Sequence, residues 1–286
     1  MRSPSTEANS EITGAQMSIT TTQIFATIQG EPLACVLFEP EIRVADAILV
    51  HGFTGSKEDF TDVAELLALK GYRVLTFDNR GQYESSHSTR PDAYEMDSLA
   101  RDVIELAANF EMANPHLLGH SFGGLIVQRA VTLAPTLFAS LTLMCSGPSG
   151  RSGWIRDEGF EMLTKLSMEE IWNQRFEEER KSHPRYQIHK KRWIASDGAS
   201  TLKFRDHLNT QPSYVKEVAA TGIPAFVFYG ENDDAWPLSD QNQMAKDLNA
   251  QLEVLPKCGH CPNEDDPELT ADTIANFWKK ADSIRN

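Results

Sequence analysis

Ser121 stands at the centre of residues 119–123, which read Gly-His-Ser-Phe-Gly and lie between a short apolar run and an apolar helical pattern. A serine on a tight strand-to-helix turn exposes its hydroxyl, and the flanking glycines let neighbouring backbone approach without a Cβ clash. The strained backbone of such a turn costs about 1–3 kcal/mol. The same pattern also occurs in ordinary glycine-rich turns. Because the motif follows a strand pattern, Ser121 is a candidate nucleophile, and the interpretation then depends on whether the chain also supplies a base and an acid.

Serine is a weak nucleophile that needs a base, and the base needs an acid to orient it. Asp233 follows an apolar run at 224–229, and His260 follows a second run at 251–255. If both runs are parallel strands, their carboxyl ends meet Ser121 at one edge of the sheet. The alternatives are an aspartate that caps the next helix and a histidine in a solvated turn. The chain order serine, aspartate, histidine favours a catalytic triad of Ser121, Asp233 and His260.

Apolar runs of strand length alternate with amphipathic stretches over most of the chain. Two antiparallel strands are predicted within 18–38, where apolar and polar residues alternate. The further predicted strands are 46–50, 73–77, 116–118, 140–145, 224–229 and 251–255, and the predicted helices are 60–69, 99–106, 125–133, 238–248 and 266–284. This alternation predicts an α/β fold with a doubly wound, mostly parallel sheet.

Residues 147–212 interrupt this alternation. They are rich in charged residues, hold three tryptophans and contain no apolar run typical of a buried strand. We therefore predict an all-helical cap at 147–212, inserted into a core formed by residues 18–146 and 213–286. Residues 1–17 are rich in Ser, Thr, Glu and Ala without apolar periodicity, which predicts a disordered tail.

The chain from about Cys35 to the C-terminus resembles the α/β-hydrolase superfamily, in its serine-nucleophile branch with a helical cap. The resemblance rests on the serine motif, on His51-Gly52-Phe53, on Gly230, Asp233 and Pro237 of one loop, and on Gly259, His260 and Pro262 of another. It implies that Phe53 and Phe122 supply the two backbone amides of an oxyanion hole. Loss of one such donor typically costs about 10²–10³ in rate. The family spacing also selects Asp233 over Asp234 as the acid.

The turn at 78–81, Asp-Asn-Arg-Gly, resembles a D-x-R-G turn of the family that is normally structural. The family usually continues with G-x-S, whereas this chain has Tyr83-Glu84-Ser85. The departure concerns a turn and leaves the triad interpretation unchanged. Serine at position 121 excludes the relatives that open epoxides or displace halide with an aspartate nucleophile.

Aromatic residues are candidates for the wall of a substrate pocket, because lids over hydrolase sites present apolar faces to the substrate. The candidates are Trp154, Trp172, Trp193 and Trp236. The alternative is that these side chains pack the cap onto the core. The charged run at 177–181 is predicted to be a solvated helix face.

The charge balance limits the partners of the chain. Its 286 residues include 41 acidic and 27 basic ones, a net charge of −14, which disfavours nucleic acid and membrane surfaces as partners. The absence of a signal-peptide pattern in the first residues predicts a cytoplasmic protein. Cys258 and Cys261 flank His260, which suggests either a redox or metal role or two small buried side chains. No second pair of such residues completes a zinc set, so neither a metal nor a cofactor is predicted.

Together these features predict a cofactor-free serine hydrolase that cleaves a carboxylic ester, lactone or thioester through an acyl-enzyme. The expected partner is a small-molecule substrate with a hydrophobic acyl group. Three alternatives stay open: a hydrolase of C–C bonds in diketones, an acyltransferase, and a non-catalytic ligand-binding protein of the same fold. The oligomeric state is not predictable from these patterns.

Overall fold

Eight strands form one sheet in the computed structural model, which describes residues 18–85, 87–152 and 161–285. The strands are β1 (Ile19–Ile28), β2 (Glu31–Pro40), β3 (Ala45–Val50), β4 (Tyr72–Phe77), β5 (His116–His120), β6 (Ser140–Met144), β7 (Ala225–Gly230) and β8 (Gln251–Leu255). Their order across the sheet is β1-β2-β4-β3-β5-β6-β7-β8. The β1–β2 and β2–β4 pairs are antiparallel, and the other five pairs are parallel. The prediction of a mostly parallel α/β sheet is confirmed.

Helices cover both faces of this sheet. They are α1 (Thr61–Leu69), α2 (Met96–Asn109), α3 (Phe122–Leu133), α4 (Met168–Ile171), α5 (Glu177–Arg180), α6 (Tyr186–Ala195), α7 (Gly198–Thr210), α8 (Val215–Thr221), α9 (Leu238–Asp247), α10 (Pro262–Asp265) and α11 (Pro267–Arg285). Among the described residues, no helix combines the length and the apolar character that crossing a bilayer requires.

The central strand β3 explains why successive residues of a strand run can all be apolar. Ala47 and Leu49 pack into the core cluster that includes α1 and α11, whereas Ile48 and Val50 pack into the cluster that includes α2 and α3. Successive side chains of a strand point to opposite faces, so a strand covered on both sides must be apolar throughout.

Among the described residues between β6 and β7 there are helices and connecting turns but no strand, and we call residues 147–212 the cap segment. Four of its apolar side chains form a separate cluster, namely Met168, Ile171, Trp172 and Trp193. Phe204 of α7 instead joins the core cluster on the α2 and α3 face. The division into core and cap stays a prediction, and the predicted tail at 1–17 lies outside the described residues.

Helix α7 is attached to the turn at 78–85, which departs from the pattern of the family that the sequence resembles. The backbone N–H of Asp197 donates to the carbonyl of Gly81 at 2.7 Å, and the Ser200 hydroxyl donates to the same carbonyl at 3.0 Å. Gln82 donates to Ser200 Oγ at 2.8 Å. A Cβ on Gly81 would lie 2.6 Å from the Ser200 side chain, and its φ is +76°. This turn therefore anchors the cap segment to the sheet.

Candidate active site

Ser121 lies between the end of β5 and the start of α3 with φ 51° and ψ −118°. Such a backbone is strained for a non-glycine residue and is sustained only by its surroundings. A Cβ on Gly119 would lie 2.4 Å from the carbonyl oxygen of Gly123, and one on Gly123 would lie 2.2 Å from that of Val50. Both glycines are therefore required for α3 to approach β3 and β5 this closely. The predicted strand-to-helix turn is present, with Ser121 at its tip.

Asp233 and His260 lie on the loops that follow β7 and β8. His260 Nδ1 is 2.8 Å from Asp233 Oδ1. The other carboxylate oxygen accepts a hydrogen bond from Gln241 Nε2 at 2.8 Å, and Oδ1 also accepts one from the backbone of Ala235 at 3.0 Å. Burial of this side chain acts to raise the pKa of Asp233, but the hydrogen bonds from His260 and Gln241 hold it below its ordinary value. The carboxylate is therefore ionised at neutral pH and can hold His260 with its proton on Nδ1.

Ser121 and His260 line one cavity of about 440 Å³, which we call the main cavity. The hydroxyl oxygen of Ser121 accepts a long hydrogen bond of 3.4 Å from Trp236 Nε1. Because an indole can only donate, this contact leaves the hydroxyl hydrogen of Ser121 available to a base. The structure thus brings the three predicted side chains to one edge of the sheet. Their catalytic roles stay a prediction.

The two residues expected to form an oxyanion hole lie on either side of Ser121. Phe53 lines the main cavity, and a Cβ on the preceding Gly52 would lie 3.1 Å from the Cβ of Ser121. Phe122 is the first residue of α3, where a backbone N–H has no partner within the helix. Its ring is buried 4.8 Å from that of Phe204. The backbone positions therefore suit the expected role, which stays a prediction.

The four tryptophans predicted to line a pocket occupy different environments. Trp172 and Trp193 line a second cavity of about 240 Å³, together with Phe53 and Phe176. We call it the aromatic cavity. Trp236 is buried in the core and is not among the residues that line either cavity. Trp154 lies outside the described residues.

The cap segment supplies four polar residues to the main cavity that the sequence patterns did not single out, namely Arg180, His183, His189 and Arg192. Of these, Arg180 belongs to the run at 177–181 that was predicted to be a solvated helix face. The exposed Glu178 and Lys181 fit that prediction, but for Arg180 it was wrong. A π-helical turn at Trp172–Phe176 precedes α5 and changes the direction in which its side chains point.

Two further histidines near the site are held neutral. His51 Nε2 accepts a hydrogen bond from the backbone of Asn79 at 2.9 Å, and its Nδ1 is 2.8 Å from the carbonyl of Gly52. His120 Nε2 is 2.8 Å from the carbonyl oxygen of His260, to which it donates. Burial lowers the pKa of His51 and that of His120 to about 4. Both fit the expectation that they are structural, and His120 fixes the backbone of the proposed base.

The cysteines near the site are poor candidates for redox or metal chemistry. Burial raises the pKa of Cys261 to about 12, and it also raises the pKa of Cys258. Among the described residues, Cys145, Asp233 and His260 offer potential ligand atoms within 4.8 Å of one another. Zinc binds cysteine as the thiolate, whereas burial raises the pKa of Cys145 well above its usual value. The set therefore fits a metal poorly and coincides with the proposed acid and base.

Comparison with known proteins finds relatives whose sequences match most of this chain. The uncharacterized hydrolase YugF of Bacillus subtilis is 26% identical over 268 residues, which span 81% of this chain and 89% of that protein. A putative non-heme chloroperoxidase of Synechocystis is 25% identical over 260 residues, spanning 80% and 90% of the two chains.

Among solved structures, the enol-lactonase from Burkholderia xenovorans LB400 superimposes with a TM-score of 0.78 and 17% identity. The match covers 90% of this chain and all of that one (100%). At this identity the superposition supports the fold alone. The family model described as alpha/beta hydrolase family matches residues 47–273, which is most of the chain. The chain therefore belongs to the alpha/beta hydrolase family.

Proposed function

We propose that the protein is a serine hydrolase that cleaves a carboxylic ester, lactone or thioester through an acyl-enzyme. The observation that carries the proposal is the 2.8 Å contact between His260 Nδ1 and Asp233, on a histidine that lines the same cavity as Ser121. A strained turn presents that serine, and an ionised, fully hydrogen-bonded carboxylate supports that histidine. A protein that only binds a ligand has no physical need for this combination.

The proposed reaction has two stages. Ser121 Oγ attacks the carbonyl carbon while His260 Nε2 accepts the hydroxyl proton, and the ionised Asp233 stabilises the resulting imidazolium. The negative charge that forms on the carbonyl oxygen is placed between the backbone N–H groups of Phe53 and Phe122. His260 then donates its proton to the leaving oxygen or sulfur as the bond to the carbonyl carbon breaks.

The second stage releases the acyl group. Water loses a proton to His260 Nε2 and attacks the ester formed with Ser121. The tetrahedral intermediate collapses, the bond to Oγ breaks, and His260 returns the proton to Ser121. The enzyme regains its starting state, and the products are a carboxylic acid and an alcohol or thiol, or a single hydroxy acid when the substrate is a lactone.

Covalent labelling tests this proposal directly. A fluorophosphonate should increase the mass of the intact protein by one phosphonyl group, and peptide mapping should place that group on Ser121. Ser121→Ala should abolish the label while circular dichroism stays unchanged. Hydrolysis of 4-nitrophenyl esters should disappear with the same substitution, because the oxyanion hole and the base cannot replace the nucleophile.

The same assay separates the proposal from its alternatives. An acyltransferase would form transfer products when alcohols or amines are added, and a C–C hydrolase would turn over diketones while leaving esters intact. Failure of the folded protein to react with any fluorophosphonate or ester would favour a non-catalytic ligand-binding protein and would overturn the proposal.

A further inference from the structure

The wall of the main cavity opposite the sheet is basic. Arg180 and Arg192 lie on it with His183 and His189, and all four belong to the cap segment. Ser121 and His260 line the same cavity from the sheet side. A group bound at the cap wall can therefore belong to a molecule whose carbonyl lies at Ser121.

The acidic side chains that line this cavity already have partners. Asp59 is paired with Arg192 through a short ion pair. Glu264 is 2.6 Å from Arg185, and Asp265 accepts a hydrogen bond of 2.7 Å from the backbone of Gly259. Asp265 keeps its negative charge, but among the described residues none of these three carboxylates forms an ion pair with the remaining arginine of the wall.

Arg180 is that remaining cation. Within the described residues its guanidinium forms no ion pair and no hydrogen bond, and its Nε is buried without a hydrogen-bond partner. The guanidinium carbon lies 5.4 Å from the centroid of the Phe176 ring, and the nearby charges of Glu179 and Arg192 also act on Arg180. A guanidinium that has lost water on one side and gained no acceptor carries an unmet demand for hydrogen bonds.

His189 adds a second unpartnered polar group to the same wall. His189 is buried, with 8% of its surface exposed, and its Nδ1 has no hydrogen-bond partner among the described residues. Burial, together with the positive charges of Arg192 and Arg180, lowers the pKa of His189 to about 4. The ring is therefore neutral and can offer one hydrogen-bond donor to a ligand.

Arg180 also faces the aromatic cavity. The π-helical turn places Trp172, Phe176 and Arg180 along one wall of that cavity, with Trp193 beside them. Because Arg180 lines both cavities, a ligand can contact the guanidinium with a charged group and the rings with its carbon skeleton. An apolar substrate would leave the guanidinium unpaired.

We propose that the substrate carries an anionic oxyacid group, a carboxylate or a phosphate, which Arg180 binds with help from His189 while the scissile carbonyl lies at Ser121. This inference rests on the proposed hydrolase function and changes the expected substrate from a purely hydrophobic acyl compound to an anionic one. A guanidinium fork suits either oxyacid, because both offer two oxygens in one plane. The overall charge of −14 does not attract such a substrate, so recognition depends on this local wall.

Matched pairs of esters test the charge preference. The neutral substrates are 4-nitrophenyl butanoate, pentanoate and hexanoate, and the anionic ones are the 4-nitrophenyl monoesters of succinate, glutarate and adipate. A second pair, 4-acetoxybenzoate and 4-acetoxybenzamide, places the charge on the leaving group. Rates are corrected with Ser121→Ala protein, which removes the spontaneous reaction of the monoesters. At least one anionic ester should exceed its neutral counterpart about tenfold or more in kcat/KM.

Arg180→Met should abolish that preference. We expect kcat/KM for the preferred anionic ester to fall about 10- to 100-fold, the range for loss of a charge-assisted hydrogen bond, and mainly through KM. Arg175→Met is the matched control, because Arg175 is an exposed arginine of the same stretch that lines neither cavity. It should leave both substrate classes unchanged.

Ligand binding keeps the inference testable if the proposed catalysis fails. Calorimetric titration with benzoate, phenyl phosphate and benzamide should detect binding of at least one anion and weaker or no binding of benzamide, and Arg180→Met should remove the difference. A preference for benzoate or for phenyl phosphate identifies which oxyacid is recognised. Equal binding of all three, or equal turnover within every ester pair, would overturn the inference. Labelling of Ser121 without any charge preference would refute it while leaving the hydrolase proposal intact.

Discussion

His120 gives a quantitative prediction for the pH dependence of stability. Its Nε2 donates to the carbonyl of His260, and burial lowers its pKa to about 4, whereas a histidine in the unfolded chain has a pKa near 6.5. Between these two values the unfolded chain binds a proton that the folded chain does not. The free energy of unfolding therefore falls as the pH falls through this range.

Glutamine at position 120 binds no proton in the folded or the unfolded chain, and its side-chain amide keeps a hydrogen-bond donor where Nε2 stood. From the two pKa values, His120 lowers the free energy of unfolding of the wild type by about 1.3 kcal/mol as the pH falls from 7.5 to 5.5. Over the same pH interval, the free energy of unfolding of His120→Gln should therefore fall by about 1.3 kcal/mol less than that of the wild type. Urea unfolding at the two pH values gives the free energies, and both lie above the pI of about 5.0.

The control is His87→Gln, because His87 is an exposed histidine on the loop between β4 and α2. Its curve of stability against pH should run parallel to that of the wild type. If the curve of His120→Gln also runs parallel to the wild type, His120 is not held neutral by burial, and the interpretation of this site is wrong.

Two further substitutions test the geometry of the site. Asp233→Asn should keep the fold, because the amide of Gln241 can flip to accept from the new Nδ2, but kcat should fall about 10³- to 10⁴-fold as the imidazolium loses its carboxylate. Ester kinetics with far-UV circular dichroism check this, and a loss below tenfold would contradict the role of Asp233. Gly123→Ala should destabilise the protein by several kcal/mol, since its Cβ would lie 2.2 Å from the carbonyl of Val50. Thermal unfolding measures the loss, and a wild-type midpoint would contradict the required close approach.

The sheet and the placement of the three candidate residues were predictable because both follow from chain order. Parallel strands joined by helices deliver every strand-to-helix loop to the same edge. Ser121, Asp233 and His260 each follow a strand by a few residues, so their convergence needed no knowledge of side-chain packing. The glycines around Ser121 were similarly predictable, because only a residue without Cβ fits where two backbones meet.

The basic wall was not predictable, because its composition depends on the rotation of one helix. Residues four apart on an α-helix are offset by about 40°, so Arg180 would stand about 80° around the axis from Trp172. The wider turn at Trp172–Phe176 reduces this offset and brings both side chains to the cavities. No pattern in the residues from Glu177 onward indicates such a turn. Trp236 has both features that its sequence left open, since its ring is buried in the core while its Nε1 donates to Ser121 Oγ, and its place in a substrate pocket stays a prediction.

The separation of the cap's apolar cluster from the core has a consequence for local unfolding. Helices α4 to α6 depend on the small cluster around Trp172 and Trp193, while α7 contributes Phe204 to the large cluster beneath the sheet. Opening of the first three helices exposes a smaller apolar cluster than global unfolding does, and so it costs less free energy. Native-state amide hydrogen exchange will therefore change from fast to slow between Ala195 and Gly198, inside the inserted segment and not at its ends.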